Sequence, residues 1–212
     1  EFHFSSDDHP LQICNVIQQT IGPENKKLQS IWIAMPAICE WRPLKDHLKC
    51  RITYSGGKFN EMSFFSSVSQ YFPSLVYLAL NSPLACHMPY LSNLKSLTHL
   101  RVYLKYDIYI NPSEQFSYPR NFSVRHLELI PIGSGKFNIR SLLYVVPRLQ
   151  KATLKMWDFR DGSRPKNKTE AEAIADAFAK QFQEMCTHME TFNYLIASTS
   201  EGIIQGTIFM KN

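Results

Sequence analysis

The sequence predicts an α/β fold: a solenoid of irregular units of about 27 residues, with parallel strands on a concave face and helices on a convex one. Three observations predict it. The pattern L-x-x-L-x-L recurs along the chain. The intervals between copies carry apolar residues at helical spacing. Helix, proline and strand follow one another at "YFPSLVYL" and again at "VVPRLQKA".

The copies, in chain order, begin with Phe2 and Phe4, which fit the end of one unit. "LQSIWI" supplies Leu28, Ile31 and Ile33, and a poorer copy, "HLKCRI", supplies Cys50 and Ile52. Then come "LVYLAL" (Leu75, Leu78, Leu80), "LTHLRV" (Leu97, Leu100, Val102), "VRHLEL" (Val124, Leu127, Leu129) and "LQKATL" (Leu149, Ala152, Leu154). "METFNY" offers Met189, Phe192 and Tyr194. Steps between fourth positions are 29, 19, 28, 22, 27, 25 and 40 residues. Five of them lie within the 20–29 residues of leucine-rich repeats, so the array is a leucine-rich-repeat solenoid on this reading.

The intervals predict helices. Residues 11–21 place Ile13, Ile17 and Ile21 at helical spacing after Pro10. Residues 60–71 place Phe64, Val68 and Tyr71 on one side, with Asn60 as a cap. "FNIRSLLYVVPRL" carries Ile139, Leu142, Leu143 and Val146 ahead of Pro147. Proline ends such a helix because the residue before it is pushed out of the α region. Each unit is too small to bury its own apolar face, and stacking units makes one continuous core.

The 40-residue step holds an enlarged unit, 159–190. "FRDGSRPKNKT" is a polar, basic loop, and Thr169 with Glu172 gives the capping-box pattern T-x-x-E. A helix through about residue 187 follows, striped by Ile174, Phe178, Phe182, Met185 and Met189. "GIIQGTIFM" closes the array as a last strand that caps its end. The whole chain, 1–212, reads as a single array forming the C-terminal part of something longer.

Bulk properties narrow the function classes. A net charge of +5 suits an acidic partner without requiring nucleic acid. Five widely spaced cysteines contain no CxxC pair, which argues against structural zinc and for reduced thiols in the cytoplasm or nucleus. Two glycosylation triplets, at Asn121 and Asn167, point the other way. No apolar run reaches the roughly 20 residues of a membrane helix.

Several short motifs have ordinary explanations. "SGGKF" (55–59) and "GSGKF" (133–137) lack the full phosphate-loop pattern and read as turns. "SSDDH" (5–9) reads as a capping segment, and "RDGSRPKNK" (160–168) as a solvated insertion. No nucleophile elbow or H-E-x-x-H occurs, so no enzyme activity, cofactor or metal is expected.

The helix–proline–strand junctions at Phe72-Pro73-Ser74-Leu75 and Val146-Pro147-Arg148-Leu149, with the irregular period, resemble the repeats that follow an F-box in ubiquitin-ligase adaptors. "LSNLKSLTHLRV" (91–102) also resembles the repeats of plant-type immune receptors. The first resemblance implies substrate recognition for an SCF-type ligase, with an F-box before residue 1 binding the other ligase subunits. The chain departs from the regular repeat three residues after the last strand leucine. Pro83, Lys105, Ile132 and Trp157 stand there in place of Asn or Cys, so no asparagine ladder is expected to tie the turns.

Strand side chains alternate between faces. If the repeat leucines point inward, the concave face carries Trp32, Arg51, Tyr77, His99, Arg101, Tyr103, His126, Lys151 and Lys155, with Lys49, Asn81, Glu128 and Thr153 among them. That set is cationic and aromatic, the composition of binding hot spots. It predicts a protein-interaction surface for an acidic or phosphorylated segment. The competing expectations are a nucleic-acid-binding module on the same basic surface, and a structural subunit of a larger assembly. His99 and His126 hold equivalent places in successive units and should stack.

Overall fold

The computed structural model describes residues 2–5, 28–34, 48–55, 76–81, 91–104, 119–132, 137–157, 159 and 164–210. The helices expected at 11–21 and 60–71, most of the two Gly-Lys segments and nearly all of "SSDDH" lie outside these residues. The sheet has nine strands: β1 (Phe2–Ser5), β2 (Leu28–Ala34), β3 (Leu48–Ser55), β4 (Tyr77–Asn81), β5 (His99–Leu104), β6 (His126–Pro131), β7 (Lys151–Met156), β8 (Thr191–Ala197) and β9 (Ile203–Phe209). Two described helices accompany it, α1 (Arg140–Val145) and α2 (Lys168–Met185). The fold is α/β, with a mostly parallel sheet.

Every repeat pattern coincides with a strand. In space the order is β1-β3-β2-β4-β5-β6-β7-β8-β9. From β4 to β8 the strands follow chain order and all pair in parallel. The N-terminal part departs from a simple ladder. β3 pairs with the outer edge of β2 and with β1, where a sequential array would set it between β2 and β4. The irregularity falls at the shortest step, the 19 residues from Ile31 to Cys50. Connection 56–76 then returns the chain past β2 to β4, and a crossover of that length suffices for a parallel partner.

Register explains the core. Leu78, Leu100, Leu127, Ala152 and Phe192 form one transverse row, and Leu80, Val102, Leu129, Leu154 and Tyr194 form the next. All ten are buried. Leu142, Leu143 and Val145 of α1, with Ala171, Ala175, Phe178 and Phe182 of α2, close over these rows. Phe182 meets Phe192 with ring centroids 5.4 Å apart. The helices therefore lie on one face of the sheet, with α2 against β8 and β9, and the alternate side chains form the opposite, open face.

Two local details differ from expectation. The cap of α2 is Asn167, two residues before Thr169: its Oδ1 accepts the Glu170 amide at 3.0 Å, and Glu170 Oε2 accepts the Lys166 amide at 2.7 Å. Asparagine outranks threonine as a cap, and the Glu170 carboxylate reaches one residue further back, to the amide that precedes the cap. The helix ends at Met185 rather than near 187. The end of the basic insertion is also fastened down. Thr199 N donates to Pro165 O at 2.9 Å, and Lys168 N donates to Glu201 Oε1 at 3.1 Å.

A tie between units exists where the repeat pattern gave no sign of one. Asn121 is 2% exposed, and its Nδ2 donates to the carbonyls of Leu91 (2.5 Å) and Leu94 (3.1 Å) in the preceding unit. Its Oδ1 accepts from Ser123 N, Ser123 Oγ and Val124 N. The glycosylation triplet at Asn121 is thus spent on internal hydrogen bonds. Asn167, in the second triplet, stays exposed at its helix cap.

β9 runs antiparallel to β8 and forms the last strand of the sheet. Gly206 lies against the Tyr194 ring: a Cβ there would collide with the hydroxyl oxygen. No described helix is long and apolar enough to cross a membrane.

Candidate functional site

The site is built by register. One transverse row of the open face reads Tyr77, His99, His126, Lys151 and Thr191 across β4–β8. The adjoining row reads Ala79, Arg101, Glu128, Thr153 and Asn193. These rows surround a hollow of about 220 Å³ lined chiefly by Tyr77, His99, Arg101, His126, Glu128 and Lys151, with Lys155 at one side. Because parallel strands repeat the same face at the same height, residues 27 positions apart in sequence, such as Arg101 and Glu128, become neighbours.

The imidazoles of His99 and His126 stack, with centroids 4.3 Å apart and planes 2° from parallel. His99 Nδ1 lies 2.8 Å from Thr98 Oγ1, which leaves Nε2 as its open nitrogen. Burial, then the neighbouring His126, holds His99 below the usual histidine range; burial, then Lys151, does the same for His126. Both shifts favour the neutral rings. Face-to-face stacking does not converge their nitrogens on one ion. Among the described residues no group of three or more His, Cys, Asp or Glu side chains could hold a metal.

Arg101 and Glu128 form the centre. Arg101 Nε donates to Glu128 Oε2 at 2.5 Å. Lys155 pairs with the other carboxylate oxygen, Oε1, and no hydrogen bond joins it there among the described residues. The Arg101 guanidinium also lies over the Tyr77 ring, 5.7 Å from its centroid. Burial alone would lower the Arg101 pKa, but the Glu128 carboxylate beside it leaves it raised. Burial pushes the Tyr77 phenol up to about 12. Lys151 is exposed and makes no ion pair among the described residues.

Six of the nine partner-binding residues expected from the sequence thus line one hollow: Tyr77, His99, Arg101, His126, Lys151 and Lys155. Tyr103 does not join them. It is 9% exposed and pairs in register with Ile130, which is 4% exposed. The last residues of β5 and β6 are buried on both faces, so strand alternation there does not mean exposure. Backbone register sets Trp32 beside Ala79 and Arg51 beside Trp32, in the Arg101–Glu128 row. Glu128 is the residue whose part the sequence reading understated. Its lone negative charge among the cations of that face was the available signal.

No protein-family model, curated protein sequence or solved structure matches the chain.

Proposed function

We propose that this chain is a protein-interaction module of the leucine-rich-repeat kind, which captures an acidic segment of a partner on the open face of its sheet. The observation that carries this reading is the convergence of Arg101, Lys151 and Lys155 with His99, His126 and Tyr77 around one hollow. A solvated sheet face of chance composition has no reason to gather these groups about one concavity. Concave sites with a few convergent polar groups are where ligands are held, and arginine and tyrosine are the side chains that anchor partners.

The sequential parallel order of β4–β8, with a tie between units at Asn121, supports the repeat-array reading. In the form favoured by the resemblance to F-box-associated repeats, the captured partner is a ubiquitin-ligase substrate.

The test is selection from a displayed library of random peptides. The wild-type chain should enrich acidic peptides. A variant carrying Arg101→Ala and Lys151→Ala, with an unchanged circular-dichroism spectrum, should lose that enrichment. Equal enrichment by both proteins overturns the proposal.

A further inference from the structure

We propose that the hollow is a phosphomonoester site, occupied by a phosphorylated side chain of the partner, and that Glu128 is its built-in competitor, displaced when the phosphate enters. This rests on the reading of the open face as a partner-binding surface and specifies what that surface selects.

Charge leads to the ligand. Arg101, Lys151 and Lys155 face a single carboxylate in the hollow, Glu128. Three cations against one anion leave two positive charges with the histidines neutral. A phosphomonoester near neutral pH carries close to two negative charges and three strong acceptor oxygens. A side-chain carboxylate brings one charge and two oxygens. The hollow of about 220 Å³ accommodates one such group rather than an extended backbone. The donors suit several acceptors at once: a guanidinium and two ammonium groups.

Geometry leads to the competitor. Glu128 is 17% exposed, and both of its oxygens are engaged by the cations a phosphate would need, Oε2 by Arg101 and Oε1 by Lys155. In this position it does what a bound anion would do. No backbone amide or hydroxyl holds it besides these two side chains among the described residues. Lys151 stands apart, exposed, at the place in the His99–His126 row where an arriving anion first meets positive charge. The sequence of events is therefore engagement of Lys151, exchange of Glu128 for phosphate at Arg101 and Lys155, and rotation of the Glu128 side chain toward solvent.

The experiment is a nuclear magnetic resonance titration of the full chain, reading the Cε1–H signals of His99 and His126. The probe is N-acetyl-O-phosphoserine amide; N-acetyl-serine amide, N-acetyl-glutamate amide and inorganic phosphate are run beside it. Phosphoserine should shift both signals saturably, and the serine and glutamate compounds should bind at least about tenfold more weakly. Glu128→Gln should tighten phosphoserine binding about tenfold, the scale of one competing charge-assisted hydrogen bond, and Lys151→Ala should weaken it by a similar factor. Inorganic phosphate binding more tightly than phosphoserine would assign the hollow to the free ion and overturn the phosphoprotein reading. Unchanged or weaker binding in Glu128→Gln, with its fold intact, overturns the competitor. If phosphoserine fails to bind while peptide enrichment still depends on Arg101 and Lys151, this inference falls and the interaction module stands. If enrichment is indifferent to those residues, the module itself falls.

Discussion

The rings of His99 and His126 lie parallel at 4.3 Å, one on each of two neighbouring strands. Neither could take up a proton without placing a charge against the other's face. Tyr77 from β4, Arg101 from β5, Glu128 from β6 and Lys151 from β7 stand around the pair, with Glu190 near His126.

A pH dependence of stability follows. Both histidines titrate below their ordinary value of 6.5 in the folded chain, chiefly through burial. The unfolded chain then binds protons more readily than the folded one over that range. The histidines' contribution to stability is therefore fully present above about pH 6.5 and is lost as pH falls through the depressed values. The urea midpoint should drop between pH 7.5 and pH 5. In the double variant His99→Gln, His126→Gln the drop should be smaller; an equal drop would place the effect elsewhere.

Asn121 should be one of the costliest polar positions in the chain. Alanine there strips the Leu91 and Leu94 carbonyls of a buried donor, for a loss of roughly 2–4 kcal/mol. Aspartate should cost more than alanine, because its carboxylate would face the same carbonyls with no hydrogen to give. Urea denaturation of the two variants gives the order directly. Alanine costing more than aspartate would mean that the acceptor side of Asn121, toward Ser123 and Val124, matters more than the donor side.

Gly206 and Tyr194 should be coupled. A methyl group at 206 would overlap the ring of Tyr194, which is buried. Gly206→Ala should lower stability by about 1–3 kcal/mol, the usual scale of overpacking. Tyr194→Leu, which removes the overlapping hydroxyl and ring edge, should make the same glycine substitution nearly neutral. A double-mutant cycle measures this, and additive losses would show that the clash is relieved some other way.

The strands of this fold were legible because parallel pairing writes the same apolar pattern into each unit. Leu78, Leu100 and Leu127 occupy matching places in the sequence for the same reason that they occupy one row in space. Strand order was less legible. "HLKCRI" announces a strand, but nothing in its residues says which edge of β2 it takes. Side-chain identity at the site could be read by alternation as far as Arg101. It failed at Tyr103, because burial on the open face depends on what covers it and not on strand period. The ion pairs of Glu128 were hidden for a related reason, since they join three strands whose register had first to be known. The Asn121 tie sits before its strand, whereas the regular repeat carries its asparagine after the strand.

The reversed direction of β9 bears on how such a chain could change in length. A unit duplicated between β5 and β7 would meet parallel neighbours on both sides and could adopt the shared register unchanged. The same unit appended beyond β9 would find a strand of opposite polarity and, on the open-face side, the bare hydrocarbon of Ile203 and Phe209, 66% and 77% exposed. On this side of the sheet, growth in kind is internal, by insertion ahead of β9. Each inserted strand would also move Lys151 one strand further from His99, so the sheet cannot gain a strand at its centre and keep its hollow.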